Sequence, residues 1–414
     1  MCLRLYLLHN TGPAQFVRIA GKSRGVKSII SNLRESCKRF DQTMTPIARK
    51  RALKRARKTL EQLLSQDAAE AAALAGLRYV NDEEPGIRRK RWGRGFTYVD
   101  AAGKHLRDET IRTRCLALAI PPAWTDVWIC EDSSGHIQAT GRDDEGRKQY
   151  IYHEVWEAAR SANKFGRLAL FGYKLPGLRA QVDRDLRRHN FPLERMVALV
   201  VYLLDKTHIR IGNLEYVQDG AYGLTTLLSE HLSVNGEQLH FDFTGKSGKR
   251  HEIDLHDRRL ARLVQRCQEL PGQFLFMYED EAGELRQVLS TDVNSYLRAQ
   301  MGQSFSAKDF RTWGATTLAA EALLQHVAQQ EAPQEEHITA AIKVAAQGLG
   351  HTTTVCRTYY VHPALLTSYC QGLLQAPAEP QPRLSTAETA VLNLLFTELA
   401  IPPELLPELL AEED

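Results

Sequence analysis

The sequence predicts an α+β protein: a small β-rich N-terminal domain, then a larger, mainly α-helical domain that carries a small antiparallel sheet. Three observations predict it. Between Leu77 and about residue 160, short β-like runs alternate with Gly, Pro and Asp turns. From Ala159 onward apolar residues recur at helical spacing. One group of strand candidates interrupts those helices around Asn235-Gly236, a strong hairpin turn. With 414 residues and 43% hydrophobic content the chain can bury the cores of two or three domains.

Residues 1–43 show no convincing period and are expected to be a disordered extension; Met44 is a candidate true start. Residues 44–76 read as a basic, Ala-rich helical arm, a solvated face being its ordinary meaning. In the small domain, 77–160, Gly95 to Val99, Trp124 to Ile129 and Gly135 to Thr140 read as strands, and Ile111 to Leu118 as a short helix ended by Pro121-Pro122. A glycine-flanked turn, Gly141 to Gly146, then feeds a strand whose Tyr150 and Tyr152 share one face. In the larger domain, 161–375, Leu193 to Leu204 is a strongly apolar helix leading into Asp205 to Tyr216. Leu239, Phe241 and Phe243 alternate with polar residues after the hairpin turn, and Thr244 to Lys249 forms the next turn, placing Lys246 at a hairpin tip. Ser306 and Asp309 form a capping box opening the helix of Arg311, near an end whose dipole favours an anion. Residues 376–414 read as a Pro-rich linker and an acidic C-terminal helix capped by Ser385 and Glu388.

Net charge is only +3, so the total does not identify a polyanionic partner. Its distribution includes two basic clusters, Arg49 to Lys58 and Arg88 to Arg94. Such clusters attract phosphate backbones, although solvated faces look the same. Seven cysteines without any Cys-x-x-Cys pair point to reduced thiols and to no metal centre. No run approaches the ~18 to 20 apolar residues that span a bilayer, so a cytoplasmic protein is expected.

The chemistry concentrates in Gly348 to Pro363, where His351 stands nine positions ahead of Tyr360. Gly348 and Gly350 suit a helix stop, and Pro363 kinks or ends the next helix just after Tyr360. Phosphoryl transfer needs a nucleophile, positive donors around the phosphate oxygens and an acid for the leaving oxygen. Arg210 and Arg311 can grip non-bridging oxygens, His351 can donate a third contact, Lys246 can be the acid, and Tyr360 or its neighbour Tyr359 can attack. Each residue taken singly is more often structural than catalytic.

The ordered set resembles the type IB DNA topoisomerases of the poxviral and bacterial branch over about residues 77 to 370. The resemblance rests on Gly146 to Tyr150, Ile209-Arg210-Ile211-Gly212-Asn213, Phe243-Thr244-Gly245-Lys246, Lys308-Asp309-Phe310-Arg311-Thr312, Leu349-Gly350-His351, and Tyr360 before Val361-His362-Pro363. It implies Tyr360 as nucleophile, with Arg210, Lys246, Arg311 and His351 completing the catalytic set. It further implies a tyrosine recombinase-like catalytic domain and a C-shaped clamp on duplex DNA. The expected DNA-binding residues are Arg147, Lys148, Gln149, Tyr150, Tyr152 and Tyr216. The reaction implied is transient single-strand cleavage through a 3′-phosphotyrosyl bond, relaxing supercoils with no cofactor, neither ATP nor metal. A nucleoid-associated monomer follows from the same resemblance. Two alternatives stand beside it. A tyrosine recombinase shares the Leu-Gly-His to Tyr spacing but usually carries histidine where this chain has Lys308. A non-catalytic DNA-binding protein would use the basic clusters alone.

Overall fold

The computed structural model describes residues 46–64, 68–302, 305–402, 405 and 408–409. The expected extension 1–43 and the candidate start at Met44 lie outside the described residues. The chain divides into two compact units, Met1–Lys58 with Pro407–Asp414, and Thr59–Leu406. The first contains most of the basic helix α1 (Pro46–Leu64), where Arg49 pairs with Glu408 at 2.8 Å.

The second unit takes in the last residues of α1, then α2 (Ala68–Leu74) and an antiparallel sheet ordered β2-β1-β3-β4-β5, built from β1 (Ile87–Trp92), β2 (Gly95–Val99), β3 (Thr125–Ile129), β4 (Ile137–Arg142) and β5 (Lys148–Tyr152). Strand β1 is the run read as a basic cluster. It pairs from Arg88↔Val99 to Trp92↔Gly95, which its charge concealed. Arg89 shows why the cluster is partly structural: its guanidinium donates to the carbonyls of Ile120, Pro121 and Trp124 and lies 4.1 Å from the Phe96 ring. Helix α3 (Glu109–Ala117) is capped by Asp108, which accepts from the Thr110 and Ile111 N–H groups. Its Cys115 joins Ile87, Tyr98, Val127, Ile129 and Ala139 in the core.

Next come α4 (Glu154–Asp185) and α5 (Leu193–Thr207). Met196 to Val201, Leu203 and Leu204 are all buried, so most of α5 is covered by other elements, while Arg195, Tyr202 and Lys206 keep one polar stripe. The hairpin glycine, Gly236, lies between β6 (Leu232–Asn235) and β7 (Gln238–Gly245); β8 (Lys249–His256) completes a three-stranded sheet, covered by α6 (Arg258–Gln268). A short hairpin absent from the sequence reading, β9 (Met277–Glu279) with β10 (Leu285–Gln287), precedes α7 (Ser290–Met301). The remaining helices are α8 (Ala307–Ala328), α9 (Glu335–Leu349), α10 (Thr353–Tyr359), α11 (Pro363–Cys370) and α12 (Thr386–Leu399). Pro363 at the start of α11 breaks what would otherwise be one helix, leaving Tyr360 at the end of α10. No described helix is long and apolar enough to cross a membrane.

Helix α12 is packed against α8 and α4. Its Glu388 is buried, where it accepts from Arg179 Nη1 and Nη2 at 2.9 and 2.7 Å and from Trp313 Nε1 at 3.0 Å. Arg179 also grips Asp205 of α5 through two bonds of 2.8 Å. One carboxylate of the C-terminal region is thereby tied to the helices that lead to Arg210 and carry Arg311.

Candidate active site

Helix α5 ends on His208 in the left-handed conformation, and the chain leaves it toward Arg210. The His208 carbonyl accepts from Arg311 Nη1, while Arg311 Nη2 donates to the Leu349 carbonyl at 2.7 Å. Arg311 is only 4% exposed, so these two carbonyls fix its guanidinium. Burial, then the neighbouring Arg210 charge, lowers its pKa. Helix α9 stops at Gly350, whose φ of +67° ends the helix; a Cβ there would lie 2.4 Å from the His251 ring. The next residue is His351.

Arg210 Nη2 stands 2.8 Å from His351 Nε2. Arginine has no acceptor, so Nε2 receives this bond and the ring proton sits on Nδ1. Burial, with the charges of Arg311, Arg210 and Lys249, lowers His351 to about 4, leaving it neutral at pH 7. Its ring lies 4.9 Å from that of Tyr360, and the Arg311 guanidinium carbon 5.6 Å from the Tyr360 centroid. Thr316 on α8, fully buried, donates to the Tyr360 carbonyl at 3.1 Å and accepts from the His362 N–H at 3.1 Å. The structure therefore gathers Arg210, Arg311, His351 and Tyr360. Tyr359 is 56% exposed, and among the described residues its ring meets none of them.

Lys246 is not gathered with the four. It sits between β7 and β8 in a turn where Ser247 and Gly248 have φ of 65° and 69°, and its ammonium lies 5.1 Å from the Tyr216 ring. The DNA-binding candidates on the β4–β5 hairpin carry internal partners. Arg147 pairs with Asp143 at 2.9 Å and with Glu145, Lys148 with Asp82 at 2.7 Å, and Gln149 Nε2 donates to Asp143 at 2.7 Å. Tyr150 and Tyr152 stack at 5.8 Å.

Three neighbours escaped the sequence reading. Lys249 and His251 lie on β8, close enough for the Lys249 charge to act on both His351 and His251. Lys164 on α4 donates to the Tyr359 carbonyl and lies 5.2 Å from the Tyr360 centroid; burial pulls its ammonium down to about 8. A lysine some two hundred residues upstream offers no local signal. The Phe243-Thr244-Gly245-Lys246 motif did point toward β8 and its neighbours.

Residues 153–376, more than half of the chain, match the family model for the eukaryotic DNA topoisomerase I catalytic core. The DNA topoisomerase 1B of Acanthamoeba polyphaga mimivirus is 31% identical over 296 residues, covering 69% of this chain and 87% of that protein. The chain belongs to the type IB DNA topoisomerases. Residues 95–143 match the N-terminal domain of the bacterial type IB topoisomerases. The vaccinia virus (strain Copenhagen) DNA topoisomerase 1B is 23% identical over 258 residues, 60% of this chain and 78% of that protein. Mycosarcoma maydis DNA topoisomerase 1 is 26% identical over 197 residues, 41% of this chain and 19% of that protein. Helix α12 of this topoisomerase lies beyond both matched segments.

Proposed function

We propose that this type IB topoisomerase relaxes supercoiled duplex DNA by transesterification at Tyr360. Its phenolic oxygen attacks a backbone phosphorus and gives up its proton as the bond to the 5′ oxygen breaks. A 3′-phosphotyrosyl bond forms, and the departing oxygen takes a proton to become a hydroxyl. Rotation of the cut strand followed by the reverse attack restores the backbone. One phosphodiester replaces another, so neither ATP nor a metal ion is required.

The observation that carries this reading is the grouping of Arg210, Arg311 and His351 around Tyr360 rather than Tyr359. Two guanidiniums and a neutral imidazole offer donors to the non-bridging oxygens, where charge grows in the transition state. Arg311 is already fixed by backbone carbonyls and needs little rearrangement. His351 accepts from Arg210 in the free enzyme, so a phosphate taking over Arg210 frees Nε2 to carry a proton instead. Lys246 must leave the Tyr216 ring to protonate the 5′ oxygen, a role its glycine-bounded turn suits.

On this reading residues 77–160 form the small clamp domain, 161–375 the catalytic domain, 44–76 a basic arm, and 376–414 a C-terminal extension. Arg147, Lys148, Gln149, Tyr150, Tyr152 and Tyr216 contact duplex DNA, and the enzyme acts as a monomer on the nucleoid. End-labelled duplex mixed with the enzyme and run on a denaturing gel tests the chemistry. A covalent adduct on the 3′-phosphate side is expected; absence of any adduct, or attachment to the 5′ phosphate, overturns it.

A further inference from the structure

A second side-chain cluster lies at the other end of α8. Arg311 and His326 are fifteen residues apart on that helix, or about 22 Å along its axis. His326 belongs to the last turn of α8, Glu331 to the connection, and His337 to the first turn of α9. The chain reverses through Gln330, at φ 57°, with the Glu331 N–H donating to the His326 carbonyl at 3.1 Å, which brings Glu331 back under His326.

We propose that His326, Glu331 and His337 form a binding site for one zinc-class divalent transition-metal ion. Two imidazoles and a carboxylate are the donor set such ions prefer, and three protein ligands leave a position for water. Each residue offers one ligand atom, and these atoms lie within 4.8 Å of one another. His337 Nε2 stands 3.5 Å from Glu331 Oε2, long for a hydrogen bond. Ligands held ~2.0–2.1 Å from a tetrahedral ion stand about 3.4 Å apart, so this separation suits a shared ion.

The other nitrogen of that ring supports the assignment. His337 Nδ1 lies 2.5 Å from the hydroxyl of Tyr369, a buried residue of α11. Occupying the second ring nitrogen with an outer partner is what orients a metal-binding histidine. His326 Nδ1 lies 2.6 Å from Glu331 Oε2, and the two imidazoles stack at 3.7 Å with planes 4° apart. An ion lies in the plane of each ring that binds it, so the stack opens on binding. His326, with 29% of its side chain exposed, is the ring free to turn, whereas His337, at 13%, is held by Tyr369. Binding also replaces the proton shared between His326 and Glu331. The sequence expectation of no metal centre considered cysteine pairs, and these spacings of five and six residues escaped it.

Zinc titrated calorimetrically into the full chain, with cobalt(II) as a spectroscopic substitute, tests the site independently of the strand-cleavage reading. One equivalent should disappear in His326→Ala and in Glu331→Gln, while unchanged far-ultraviolet circular dichroism of both variants reports an intact fold. Tyr369→Phe keeps the packing and should weaken binding ~10- to 100-fold. The cobalt spectrum should show d–d bands of a nitrogen and oxygen site without thiolate charge transfer. Unchanged stoichiometry in both ligand variants, or a thiolate signature traced to cysteines, overturns the proposal.

Discussion

Glu388→Ala tests whether the C-terminal helix is part of the catalytic fold. The Glu388 carboxylate accepts two bonds from Arg179, one from Trp313 Nε1 and one from the Ser385 N–H. Breaking a buried ion pair from one side costs ~3–5 kcal/mol. Arg179 keeps both bonds to Asp205, which argues for the lower figure, ~3 kcal/mol with the Trp313 donor left unpaired. At ~2.1 cal/mol/K per residue over the roughly 350 residues of Thr59–Leu406, unfolding entropy is ~0.7 kcal/mol/K, so Tm should fall by about 4 °C. Burial pushes the Glu388 carboxyl up, but the Arg179 hydrogen bonds and charge outweigh it and hold the pKa below the ordinary 4.5. A depressed carboxyl stabilises the fold above its unfolded pKa and stops doing so as pH falls through the folded one. The gap between wild type and variant should therefore be full at pH 7 and close well below pH 4.5. Thermal unfolding across pH measures this, with Glu388→Gln as the isosteric control. A Tm change under ~1 °C at pH 7 would refute the reasoning, since ~0.7 kcal/mol or less is a surface effect.

Tyr360→Phe removes only a hydroxyl and should bind duplex normally yet form no covalent adduct on a denaturing gel; adduct persisting there would move the nucleophile to Tyr359. Lys246→Ala should cleave ordinary DNA ~100- to 10,000-fold more slowly but cleave a 5′-bridging phosphorothiolate nearly as fast as wild type, because a thiolate leaves without a proton. Failure of that rescue would turn attention to Lys249, the first residue of β8. Replacing Arg147 and Lys148 with alanine should flatten the salt dependence of duplex binding by ~0.9 per lost phosphate contact; an unchanged slope would mean their carboxylate partners keep them. Lys164 is held at about 8 against the ordinary 10.5 by burial, so stability should rise with pH between those values as the native amine sheds its proton first. Lys164→Met should abolish that rise in Tm-versus-pH scans, and a persisting rise would place the titration elsewhere.

The sequence made the motif-borne parts of this architecture legible. Gly236, at φ 61° in the turn after Asn235, announces its hairpin because the left-handed first turn position favours glycine, and Gly350 and Pro363 punctuate their helices for equally local reasons. Strand β1 was not legible, since Arg88 to Arg91 lack the apolar alternation of a half-buried strand; the strand instead satisfies Arg89 with loop carbonyls. Pairings across long separations were equally hidden. Arg179 and Glu388 are 209 residues apart, Lys164 and Tyr359 195, and neither pair leaves a local pattern. The resting position of Lys246 over Tyr216 depends on turn geometry that no spacing encodes.

The two carbonyls that hold Arg311 have a consequence for timing. An arginine side chain loses up to ~2 kcal/mol of rotamer entropy when it is fixed in one arrangement. The carbonyls of His208 and Leu349 impose that loss while the chain folds, before any phosphate arrives. Lys246, resting on an aromatic face at a turn, has its loss still ahead. On the proposed reading, a substrate anion meets one cation that is already aimed and one that it must recruit, and the second can wait until the duplex is seated.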